Sequence, residues 1–156
     1  MTVQSTYRSS NSEIKILLVE DNPEDIRLIQ EAFKTANIDS EPTLRSISNG
    51  NDAVDFLNEQ TDDPTRSLPD LALVDLNLPG RDGCAVLNAT RADPQFRPLP
   101  VIILMSSADR GDIQRCYEAR ANAYLTKPTT PEGFESLVES VSRFWFQKVQ
   151  LLPDSQ

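Results

Sequence analysis

The chain has 156 residues, enough for one domain whose core needs no metal or disulfide staple. Its net charge of -9 argues against binding along a nucleic-acid phosphate backbone, and no apolar run approaches the roughly 18 residues of a membrane span. Histidine is absent, which removes His-ligated metals and imidazole acid–base chemistry.

Residues 1–13 are polar and serine-rich, with no apolar segment that would make a signal peptide or an anchor, and read as a flexible tail. Ile14 to Val19 is an apolar run broken only by Lys15; it reads as a buried strand ending at Glu20-Asp21. Asn22 suits a helix N-cap and Pro23 the first helical position, after which Ile26, Ile29, Ala32 and Phe33 recur at helical spacing. A short strand over Thr43–Ile47 leads through Asn49-Gly50 to a helix carrying Ala53, Val54 and Leu57. Residues 59–69, with charges and two prolines but no apolar period, read as a surface loop.

Leu71 to Val74 forms a third apolar run, ended by Asp75, and the turn-rich stretch Leu76 to Gly83 enters a helix with Val86 and Leu87. Asp93-Pro94 closes that helix; a fourth strand follows over Leu99–Met105, then a helix from about Asp109 to Ala119. The strand Ala121–Leu125 delivers Lys127-Pro128, and a last helix runs from about Pro131 to Val149. This alternation predicts an α/β fold, a doubly wound five-stranded parallel sheet with helices on both faces, spanning 14–150 ahead of a tail over 151–156. Cys84 and Cys116 fall inside predicted helices and read as reduced, packed thiols of a cytoplasmic protein.

In such a sheet, residues just past the strand carboxyl ends meet in one crevice. Glu20, Asp21, Asp75 and Lys127 are therefore expected together. A carboxylate attacks a phosphoryl donor only when cations screen the donor's oxygens, and a hard cation such as Mg²⁺ takes a few carboxylates plus water. Three acids and one lysine supply that set. Singly, each acid is as well explained as a helix cap; the combination points to phosphoryl transfer onto Asp75.

Glu20-Asp21-Asn22-Pro23 after its strand, Asp75 with Leu76-Asn77-Leu78-Pro79-Gly80-Arg81-Asp82-Gly83, and Tyr124-Leu125-Thr126-Lys127-Pro128 are similar to the three signatures of the response-regulator receiver domains of two-component signalling. The resemblance covers about Ile14 to Val149 and implies the flavodoxin-like strand order 2-1-3-4-5. It implies that Asp75 accepts phosphate from a histidine kinase and that Asp21 and Asp75 ligate Mg²⁺ or Mn²⁺. Glu20 would act through water and Asn77 through its backbone carbonyl. Lys127 would pair with the phosphoryl oxygens, the Lys127-Pro128 bond would be cis, and Tyr124 would be the switch aromatic.

Where the family places a Thr or Ser at the end of strand four, this chain has Met105, followed by Ser106 and Ser107. Either Met105 occupies the switch position and alters the relay to Tyr124, or a local shift brings in Ser106. The last helix, with Phe144-Trp145-Phe146, resembles that of single-domain regulators paired with cyanobacterial-type phytochrome kinases. Those aromatics either make a homodimer contact or fold back over the sheet. With no output domain in the sequence, the expected role is a stand-alone regulator docking on an effector or passing its phosphate on. The alternatives are a receiver-like interaction module that needs no phosphate, and a metal-dependent phosphohydrolase. Asn77 counts against the hydrolase, because its amide cannot serve as the general acid.

Overall fold

Five strands, β1 (Lys15–Val19), β2 (Thr43–Ile47), β3 (Leu71–Asp75), β4 (Val101–Met105) and β5 (Ala123–Thr126), pair in parallel in the order β2-β1-β3-β4-β5. This computed structural model describes residues 14–36, 41–62, 68–106 and 121–143. The described helices are α1 (Pro23–Thr35), α2 (Gly50–Asp62), α3 (Gly83–Ala92) and α4 (Pro131–Val141). The helix expected over 109–119 and the aromatic trio Phe144, Trp145 and Phe146 lie outside the described residues.

Strand periodicity sorts the core into two layers. Leu17, Val19, Ala72, Val74, Val101, Ile103 and Met105 face Ala53 and Leu57 of α2 and Val86 and Leu87 of α3. The alternate residues Ile16, Leu18, Leu71, Leu73, Ile102 and Leu104 face Ile29, Ala32 and Phe33 of α1 and Phe134, Val138 and Val141 of α4. Both faces of the central strands are thus covered, which explains why β3 and β4 are buried at every position. Each large apolar side chain so buried contributes about 1.5–3 kcal/mol.

Helix starts are set by their caps. Asn22 Oδ1 accepts hydrogen bonds from the backbone N–H groups of Glu24 and Asp25 at 2.9 and 3.3 Å, with Pro23 opening α1. Asp82 caps α3 by accepting from Ala85 N–H at 2.9 Å, and Thr130 caps α4 by accepting from Gly133 N–H at 3.0 Å.

Three sequence expectations are corrected. Helix α2 runs on to Asp62, so the segment from Glu59 is helical rather than loop; Glu59 and Gln60 are good helix formers, and a helical turn off the core needs no apolar period. Strands β4 and β5 start at Val101 and Ala123 rather than Leu99 and Ala121; the Leu99 N–H instead closes a turn onto Phe96 C=O. Cys84 is disulfide-bonded rather than a free thiol. The other cysteine of the sequence, Cys116, lies outside the described residues, and two cysteines on separate predicted elements carry no distance information before the elements are packed.

The connection from β3 to α3 is unusually close. A Cβ on Gly83 would sit 2.5 Å from Asp75 O and 2.8 Å from the Cα of Leu76. Gly80, at φ 76°, turns the loop where L side chains are rarely found. Gly83→Ala raises helix propensity, yet the clash with backbone is expected to destabilise the fold by about 1–3 kcal/mol. Urea unfolding decides the sign, and a stabilised variant would mean that β3 and α3 can separate at no cost.

Candidate functional site

Because β2 and β3 flank β1 on opposite sides, the chain reverses its direction of travel across the sheet at β1. The crevice at this reversal, above the carboxyl ends of β1 and β3, is where open α/β sheets bind ligands. Glu20 and Asp21 follow β1, Asp75 ends β3, and Lys127 follows β5. By strand alternation Glu20, Asp75 and Lys127 continue the rows Ile16-Leu18, Leu71-Leu73 and Ala123-Leu125, all of which pack on the α1 side. Their convergence follows from register.

Carboxylate oxygens of Glu20, Asp21 and Asp75 lie within 4.8 Å of one another. Glu20 is wholly buried and Asp75 nearly so at 5% exposure, while Asp21 is exposed. Lys127 Nζ stands 2.9 Å from Glu20 Oε1, 3.0 Å from Asp75 Oδ2 and 2.9 Å from Asp25 Oδ2. Asp25, in the first turn of α1, is absent from the residues that the sequence singles out. Its signal is a place four residues before Ile29, on the helix face that also carries Ala32 and Phe33.

The Glu20 contact is an ion pair without hydrogen-bond alignment, so buried Oε1 keeps no hydrogen-bond partner, while Oε2 accepts from Asn22 N–H at 3.1 Å. Burial, reinforced by the neighbouring Asp75 charge, pushes the Glu20 carboxyl up to about 7 against the pull of Lys127. Lys127 is held above the usual lysine range: burial alone would lower it, but Glu20, Asp25 and Asp75 together outweigh that. Around the one ammonium stand the carboxyl groups of Glu20, Asp25 and Asp75, with Asp21 close by, so acid outnumbers base in the crevice. An orphaned buried carboxylate oxygen beside two further carboxylates is the donor set that a hard divalent cation takes.

Asn77 donates its backbone N–H to Asp75 Oδ1 at 3.3 Å, which holds that carboxylate toward the loop. Met105 ends β4 opposite Thr126, is 5% exposed and packs in the α2–α3 layer, against which Tyr124 also lies. Ser106 is exposed just beyond the strand. Of the two residues considered for that position, the methionine is the one packed in the same layer as Tyr124.

The model of the response regulator receiver domain matches residues 16–139. The chain belongs to the response regulator receiver family. This receiver domain is 38% identical over 142 residues, 91% of its own length and 95% of its relative's, to response regulator Rcp1 of Synechocystis sp.. It superposes on the phosphorylated cyanobacterial phytochrome response regulator RcpA with a TM-score of 0.79 at 34% identity, covering 92% of this chain and 100% of that one. The Mn²⁺-bound form of Rcp1 gives a TM-score of 0.75 at 36% identity, covering 87% and 96%. The strand order expected from the resemblance is the one observed. Among the described residues of the receiver domain, no helix is long and apolar enough to cross a membrane.

Proposed function

We propose that this receiver domain is a stand-alone phosphoacceptor switch: Asp75 takes a phosphoryl group from a histidine kinase and the modified domain changes its protein contacts. The observation that carries the reading is the shared lysine, one ammonium bonded to the acceptor carboxylate and standing against Glu20 inside a three-carboxylate cluster.

In the proposed reaction a carboxylate oxygen of Asp75 forms the new O–P bond while the P–N bond to the kinase imidazole breaks. A divalent cation bound by Asp21 and Asp75, by the Asn77 carbonyl, and by Glu20 through water would neutralise the phosphoryl oxygens. Lys127, already bonded to Asp75, would donate to the phosphoryl oxygens. The Asn77 N–H holds Asp75 through Oδ1, so that Oδ2 is the oxygen freed to attack once Lys127 turns to the phosphoryl group. The product adds negative charge to an acidic crevice, so the ammonium must move from carboxylate to phosphoryl.

Met105 favours one competing reading, a receiver-like module that signals without phosphate, because a thioether cannot donate the hydrogen bond that a strand-end hydroxyl would. Incubation with acetyl phosphate and Mg²⁺ followed by intact-mass measurement separates the two. One added phosphoryl group per chain is expected, lost entirely in Asp75→Asn. A wild-type protein that gains no mass would favour the module.

A further inference from the structure

Lys127 has three N–H donors and faces three carboxylates, one of which the phosphoryl-transfer site does not require. Asp25 Oδ2 accepts from Nζ at 2.9 Å, as close as any partner of the lysine, across 102 residues of sequence. Asp25 is outside the carboxylate group within 4.8 Å that suits a cation, so the ammonium is its partner there, while Glu20 and Asp75 belong to the group that would hold one. Its position has little slack: α1 begins two residues earlier, and the Asp25 N–H is itself tied to Asn22 Oδ1. Its side chain, 18% exposed, stands at the rim of the crevice beside the 17% exposed Lys127.

We propose that Asp25 is a positioning residue that restrains Lys127 and competes with the incoming phosphoryl group for its ammonium, so that it slows phosphorylation of Asp75. The inference rests on the phosphoacceptor reading above. A divalent cation on Glu20, Asp21 and Asp75 would offset the charge of those carboxylates, whereas Asp25 stands outside that group and keeps its hold on Lys127. Asp25 also adds a fixed negative charge on the approach of an anionic donor.

Asp25→Asn keeps the shape and an acceptor oxygen but removes the charge. With acetyl phosphate and Mg²⁺, its phosphorylation rate is expected to rise about 2- to 5-fold over wild type, the scale of one partly exposed ion pair. Asp25→Ala is expected to change the rate in the same direction, and serves if the Asn variant does not fold. Damage to the fold would slow the reaction, so an acceleration cannot come from a merely structural role. An Asp25→Asn rate equal to or below that of a phosphorylated wild type overturns this inference alone. A wild type that takes up no phosphoryl group overturns the acceptor reading and this inference with it.

Discussion

Lys127→Met is expected to destabilise the metal-free protein by about 3–5 kcal/mol at neutral pH, the cost of breaking a buried ion pair from one side. The lysine is 17% exposed, yet it is the cation bonded to both Asp25 and Asp75 and standing against fully buried Glu20. Methionine fills much of the same volume, so the loss reports charge more than packing. Two conditions should shrink it. Acidification lets Glu20 carry its proton, and Mg²⁺ supplies a replacement cation to the carboxylates. Guanidinium unfolding at neutral and acid pH, with and without Mg²⁺, measures all of this. A variant as stable as wild type in the metal-free state would show that the carboxylates do not depend on the lysine.

The convergence behind that expectation was legible because strand period and strand order together fix where side chains emerge. Glu20, Asp75 and Lys127 continue rows already apolar on one face, so the crevice follows from register alone. Asp25 was legible only in part: its spacing of four from Ile29 places it on the inward face of α1 with Ala32 and Phe33, but its reach to Lys127 is set by how the helix packs over the sheet. The same limit hid the bond at Cys84, which depends on how α3 packs. The last turn of α2 escaped for a different reason: apolar spacing marks only helix that touches the core, and Glu59 does not. Met105 was legible as a departure, and its packing in the Tyr124 layer gives the departure a place.

Glu20 makes the site's response to pH calculable in sign. Its carboxyl stands at about 7 when folded against a reference of 4.5, so between those values the folded chain binds more protons than the unfolded one. Stability from this group is therefore fully present below about pH 4.5 and is lost as pH rises through about 7, a span worth about 3 kcal/mol. Metal-free protein should thus become easier to unfold across that window, against the usual trend for paired carboxylates. A divalent cation needs the deprotonated form. Mg²⁺ affinity should accordingly climb by up to about tenfold per pH unit below 7 and level off above it, as one proton is released per ion bound. Glu20→Gln removes the titrating group from the same volume. It should bind Mg²⁺ more weakly, lose most of the pH dependence in both measurements, and unfold less readily than wild type in metal-free buffer at about pH 8, where the buried charge costs most. Titration of Mg²⁺ into both proteins between about pH 5.5 and pH 8.5 is the decisive measurement. A wild-type affinity that stays flat across this range would mean that the buried carboxyl does not take part in holding the ion.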